Sequence, residues 1–327
     1  MKTLTSLIAK IIILFALITI ILLPVCVAQL RVNSKIIDSG MLRLDESTNI
    51  LAVGDSHAET SINPSLLPNS ENISCSAENY FWTYYKIKHF IKHNKKITTV
   101  ILPFSWHNLP KKYQEKFLFD KSFGKIDDYF LLLDENGRNV IETFDGSYLI
   151  TWLKYTGGVP FQFYLNNTLL RELFGSSVDK KGINFYGGFK KISKNDLSHG
   201  KILKKVNSYF YHDSHNVSDS STIMIEYLHK ITQLCYENNI QLILLNAPVH
   251  KRYKSMIPAK AVASFEITKK IILTKYRNIC YVDFSDMEMP DSCFSDGDHV
   301  NSSGAEIVTK ALLHSISRCT SAYGIAP

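Results

Sequence analysis

Asn49-Ile50-Leu51-Ala52-Val53-Gly54-Asp55-Ser56-His57 is the stretch on which the reading of the fold turns. An apolar, strand-like run ends there in a tight Gly-Asp-Ser turn, which would lift one serine hydroxyl to the edge of a sheet. Far downstream stands Asp296-Gly297-Asp298-His299, an Asp and a His three residues apart. A serine needs a base to become a nucleophile, and the base needs a carboxylate to hold its tautomer. The chain supplies all three in the order Ser56, Asp296, His299. Asp298 is the rival for the carboxylate role. Asp296 is preferred, because a residue directly adjacent to the histidine is poorly placed to reach the ring's inner nitrogen.

Outward from this stretch, strand-like and helix-like segments alternate. The strand candidates are Ile50–Gly54, Asn72–Ser76, Thr98–Phe104, Gln241–Ala247 and Cys280–Phe284. Three of them are continuous apolar runs, as strands buried on both faces of a parallel sheet require. Helical periodicity covers Glu78–His93, Ile223–Asn239 and Val262–Lys275, with a final helix at Ala305–Ser317. The alternation predicts an α/β fold, three layers α/β/α around a parallel sheet, with right-handed crossovers. Active sites in such sheets lie beyond the carboxyl ends of the strands, where Ser56 follows the first one.

The span from about 107 to 220 breaks the alternation. It is rich in aromatic residues, among them Tyr129, Trp152, Tyr186, Tyr209 and Phe210, and holds glycine pairs at 157–158 and 187–188. It reads as a large insertion forming a cap or substrate groove, in which some rings suit stacking on sugars and most pack a small core of their own.

The chain has 327 residues, 45% of them hydrophobic, and a formal charge of +7 that becomes +5 without the first thirty residues, which carry Lys2 and Lys10. No basic cluster of the nucleic-acid-binding kind and no zinc-finger or helix-turn-helix spacing is present, so nucleic acid is not an expected partner. Residues Ile11–Leu30 carry no charge and follow two lysines, a pattern for an N-terminal membrane anchor that leaves the rest of the chain outside the cytoplasm. Cleavage after Ala28, as in a signal peptide, is the alternative, and it too exports the domain. Residues 31–48 read as a polar stalk, and 49–320 as one domain carrying the insertion.

The cysteines at 26, 75, 235, 280, 293 and 319 include no CxxC pair, so no metal or cofactor is expected. Cys280 has Cys293 or Cys319 as a possible disulfide partner, and Cys75 and Cys235 read as small buried apolar residues.

With these motifs in hand, the chain resembles the SGNH/GDSL hydrolase superfamily over roughly 49–108 and 222–317. Gly54, Asp55 and Ser56 match its first motif, and Asp296 with His299 its last. The resemblance implies a five-stranded parallel sheet of flavodoxin-like type, and a catalytic triad of Ser56, Asp296 and His299. It also implies oxyanion donors near Ser76, Ser105 or Asn108, although the family's glycine and its Gly-x-Asn-Asp motif are missing there. His57 directly after the nucleophile tilts the resemblance towards exported, membrane-anchored relatives that move acetyl groups on cell-envelope polysaccharides. Asp55 and His57 are then substrate-binding candidates, His57 with helix capping as its other role.

The expected function is a serine esterase or O-acyltransferase acting through an acyl-serine on an extracytoplasmic carbohydrate ester, with an integral membrane acyl donor as a possible partner. The other class is a non-catalytic glycan-binding or scaffold subunit of a polysaccharide modification or export complex that keeps the fold.

Overall fold

The computed structural model describes residues 6–14, 16–18, 20, 44–119, 129, 132–144, 186–213 and 215–323. The chain divides into two units. One comprises residues 1–42 and 133–182, of which 6–14, 16–18, 20 and a helix at Glu135–Phe144 are described. The other, residues 43–132 and 183–327, carries the sheet and the candidate site.

Its five strands are β1 (Ile50–Ala52), β2 (Ser70–Asn72), β3 (Thr99–Pro103), β4 (Gln241–Asn246) and β5 (Ile279–Asp283). All pair in parallel in the order β2-β1-β3-β4-β5. The chain steps from β1 outward to β2, then back past β1 to β3, so the direction of winding reverses between β1 and β3. That reversal opens a crevice at the strands' carboxyl ends. The central strands β3 and β4 are buried at every position. Their apolar middles, Val100–Leu102 and Leu242–Leu245, suit a strand covered on both faces.

The second strand lies at Ser70–Asn72, not at the expected Asn72–Ser76. It is an edge strand with a single neighbour, so Ser-Glu-Asn suffices, and no apolar run marks it. Ile73, the apolar residue that drew the expectation, sits just past its end and donates its N–H to Ala52 O at 2.9 Å.

Helices connect the strands. α1 (Ser56–Ser61) follows β1, and α2 (Tyr80–His93), capped by Asn79, follows β2. α3 (Lys111–Phe119), α4 (Glu135–Phe144), α5 (His199–Phe210) and α6 (Thr222–Glu237) lie between β3 and β4, and α7 (Lys251–Lys254) with α8 (Ala259–Lys275) leads to β5. The last helix, α9 (Ser302–Tyr323), closes the chain. α6 packs against α2 and α8, whereas α1 packs against α9. The α1–α9 pair buries Ala58, Ile62, Leu312 and Ile316 on Ala52, Ile101, Ile243 and Leu245 of the sheet.

Gly54 makes the turn before Ser56 possible. Its φ is +120°, and a Cβ there would lie 2.6 Å from Cδ of Pro103. Only glycine lets β1 and β3 end this close together.

Cys280 of β5 is disulfide-bonded to Cys319 of α9, and Cys293 is a buried free thiol. Cys235 is buried, while Cys75 is only half-buried.

The chain leaves and rejoins the sheet scaffold through a hydrogen-bonded neck. Pro110 and Ser220 form an isolated antiparallel bridge, Lys111 N–H donates to Asp219 O at 2.7 Å, and Ser221 N–H donates to Leu109 O at 2.8 Å. Of the aromatic residues in the span between, Tyr129, Tyr186, Tyr209 and Phe210 are buried. Residues 145–185, with Trp152 and the glycines at 157–158, lie outside the described residues.

Among the described residues no helix is long and apolar enough to cross a membrane. The expected anchor lies only partly within them, because residues 21–43 are outside.

Candidate active site

Ser56 opens α1 at the carboxyl end of β1. Asp55 is the cap: its Oδ1 accepts the N–H of His57 at 2.9 Å, the usual service of an aspartate at a helix start. As the first residue of the helix, Ser56 leaves its own backbone N–H outside the helical bonding ladder. Its hydroxyl lies 2.7 Å from Nε2 of His299.

His299 precedes α9 in a turn that the sequence builds locally. Asp296 Oδ1 accepts the N–H groups of Asp298 at 3.1 Å and of His299 at 3.0 Å. The same carboxylate faces the ring, with Oδ1 3.1 Å and Oδ2 3.2 Å from Nδ1. The structure thus brings Ser56, His299 and Asp296 together, although 243 residues separate the serine from the histidine. Asp298 comes no closer to Nδ1 than 3.5 Å.

Asp298 points inward instead and is fully buried. Its Oδ2 lies 3.2 Å from Nε2 of His57, itself 2% exposed. His57 Nδ1 has no partner among the described residues. A proton there would be an unsatisfied buried donor, so the ring is neutral, with Nε2–H donating to Asp298. Burial, then the neighbouring His107, lowers the His57 pKa from 6.5 to about 4. His57 stacks on His107 with ring centres 3.9 Å apart.

The loop after β3 closes this layer. His107 Nε2–H donates to Asp55 Oδ2 at 2.7 Å, and its Nδ1 lies 2.8 Å from Ser105 Oγ. Asn108 donates from Nδ2 to the same Asp55 oxygen at 2.8 Å, and its Oδ1 accepts the N–H of Ser105 at 2.8 Å. Burial disfavours the Asp55 carboxylate, but the charge and hydrogen bond of His107 outweigh it and hold its pKa below the ordinary value. Asp55 and His57 therefore form a buried frame beneath Ser56 rather than an open substrate surface. The side chains proposed as oxyanion donors are engaged in this frame or beside it: Ser105 and Asn108 as above, and Ser76 Oγ on the Glu59 carboxylate. The uncommitted donor at the serine itself is the backbone N–H of Ser56.

Sequence reasoning missed Lys205 and His107. Lys205 comes from α5. Its Nζ is 2.7 Å from Asp296 Oδ2, 2.9 Å from His299 Nδ1, and in contact with Asp298. A signal existed: Ile202, Lys205, Val206 and Tyr209 share one helical stripe, and the other three are buried. A lysine in an apolar stripe has an inward partner.

No protein-family model matches the chain, and no curated protein is similar to it by sequence.

The electrostatics follow from the burial of four charges in one place. Burial opposes the charge on Lys205, yet Asp298 and Asp296 raise its pKa above the ordinary lysine value. Burial likewise opposes the imidazolium of His299, and Asp298 and Asp296 together outweigh that and the repulsion of Lys205, so its pKa is raised. Asp298 is lowered well below the carboxylate range despite burial, chiefly by His299 and Lys205. His57, Asp298 and His299 bring ligand atoms within 4.8 Å of one another, a donor set suited to a divalent ion. The Lys205 ammonium already supplies positive charge to that set.

Proposed function

We propose that this chain is a serine esterase or O-acyltransferase of SGNH/GDSL type, working through an acyl-Ser56 intermediate on ester groups of an extracytoplasmic carbohydrate. The observation that carries the reading is the contiguous hydrogen-bonded line Ser56 Oγ, His299, Asp296 at the carboxyl end of the first strand of a parallel sheet. In that reading His299 takes the serine proton as Ser56 attacks the carbonyl, and later returns it to the leaving alcohol. Asp296 orients the ring and stabilises the imidazolium. The Ser56 N–H meets the developing oxyanion. Water or a sugar hydroxyl then resolves the acyl-serine, and which one does so decides between hydrolysis and transfer. Residues 1–30 would anchor the chain to a membrane, where an integral acyl-donor partner could reach it.

The committed side chains of Ser76, Ser105 and Asn108 favour a second reading, a glycan-binding subunit that keeps the triad without turning over. The full chain, Ser56→Ala and His299→Ala separate the two. An esterase stoichiometrically labels at Ser56 with a fluorophosphonate and releases acetate from an acetylated glycan, with both variants inert. A wild type that neither labels nor releases acetate leaves the binding reading.

A further inference from the structure

Nδ1 of His299 faces two groups that make opposite demands on it. Asp296, at 3.1 Å, can only accept and wants a proton on Nδ1. Lys205, at 2.9 Å, can only donate and wants a lone pair there. An ammonium and an N–H cannot point at one another across 2.9 Å, so when Lys205 donates to Nδ1 the ring proton sits on Nε2. Nε2–H then donates to Ser56 Oγ, and the imidazole has no lone pair left to take the serine proton.

Lys205 is held where it is by charge. Asp296 and Asp298 both bind it, and its side chain remains 22% exposed. It is the innermost of six lysines on one short segment: Lys190, Lys191, Lys194, Lys201 and Lys204 are all exposed, with Asp196 as the single acid. Lys201, which pairs with Asp196, and Lys204 precede Lys205 on α5, so an anionic chain lying on them comes to the recessed ammonium. A flat anionic surface would meet the outer lysines but not the recessed one.

We propose that Lys205 sets the tautomer of His299, so that the site rests with its base blocked, and that an anionic polysaccharide docking on the 190–204 lysines draws the ammonium away and opens it. With Lys205 turned to the ligand, Nδ1–H donates to Asp296 and Nε2 accepts from Ser56. This names the substrate class of the proposed esterase as a carboxylated glycan and rests on that reading only for the word substrate, because the tautomer is a property of the resting protein.

The test uses the full chain with ¹⁵N-labelled histidine, whose two ring nitrogens report the tautomer whether or not Ser56 reacts. Wild type is expected to show His299 protonated at Nε2, Lys205→Met at Nδ1, and Lys205→Arg to resemble wild type. At a pH above the His299 titration in both proteins, fluorophosphonate labelling of Ser56 should be faster by about tenfold or more in Lys205→Met, since a base in the wrong tautomer is a poor one. Polygalacturonate should accelerate labelling of wild type but not of Lys205→Met, and neutral dextran neither. A wild type protonated at Nδ1, or a Met variant that labels no faster while wild type labels, overturns the latch. If polygalacturonate leaves wild type unchanged, the anionic ligand is overturned. If the tautomer switches as stated but Ser56 labels in no variant, the esterase reading fails and the latch stands.

Discussion

The carboxylate that faces the His299 ring also holds the backbone of the same residue: Asp296 Oδ1 is 3.0 Å from the His299 N–H and 3.1 Å from its Nδ1. One side chain thus fixes the position of His299 and offers its ring the acceptor that a proton on Nδ1 requires. Asp296→Asn keeps an acceptor for the backbone but offers the ring a neutral amide. The esterase reading expects kcat/KM to fall by about 1,000- to 10,000-fold with little change in melting temperature. Asp298→Asn should show the reverse balance. Asp298 is fully buried between His57 and Lys205, so its loss weighs on stability first. Steady-state kinetics beside thermal melts of both variants read the contrast.

Labelling of Ser56 should rise with pH. Only neutral His299 can act as base, and its pKa is raised because Asp298 and then Asp296 outweigh burial and Lys205. Half-maximal reactivity is therefore expected above pH 6.5, and the rate of fluorophosphonate labelling against pH measures it. A midpoint below 6.5 would contradict the charge arrangement described.

Stability should fall on mild acidification, and His57 should be the reason. Its pKa is about 4 in the folded chain against 6.5 for a free imidazole. Between those values the unfolded chain binds the proton that the folded chain refuses. The resulting loss is about 3 kcal/mol between pH 7 and pH 4. His299 runs the other way, since its raised pKa gives stability that is complete below pH 6.5 and fades as pH rises. Urea unfolding of wild type and His57→Asn at the two pH values isolates the first effect, and the variant should have the flatter acid limb.

The Cys280–Cys319 disulfide closes 39 residues between β5 and α9. Loop-closure entropy assigns such a link about 4 kcal/mol. Cys280→Ala with Cys319→Ala should lower the urea midpoint accordingly while leaving the Ser56–His299 pair in place. A reductant should do the same to wild type and nothing to the double variant.

Much of this molecule can be read along the chain, for physical reasons that also mark where reading stops. The central strands are legible because burial on both faces favours apolar side chains, and the middles of β3 and β4, Val100–Leu102 and Leu242–Leu245, comply. β2 starts two residues and ends four residues before the expected Asn72–Ser76, because an edge strand needs no such run. Ser56, Asp296 and His299 are nominated by residue type and order, and the fold brings them together. Their neighbours are found only in three dimensions. Asp55 reads as a substrate contact, yet it is drawn inward by His107 and Asn108, partners 52 and 53 positions away. Lys205 reaches the site across 94 residues of sequence, and its one local trace is its place on an apolar stripe. Which of Cys293 and Cys319 takes Cys280 depends on where α9 lies over β5, and spacing alone does not contain that.

The neck at Pro110 and Ser220 gives the scaffold an evolutionary joint. Because the two ends of the intervening segment are hydrogen-bonded side by side, its length and content can change without altering the register of a single strand. Yet Lys205 belongs to that segment and touches the triad. Lineages that exchange what lies beyond the joint would, in the same event, inherit or discard a cation at the base. Specificity and chemical readiness would then evolve as one trait, on a sheet that takes no part in the change.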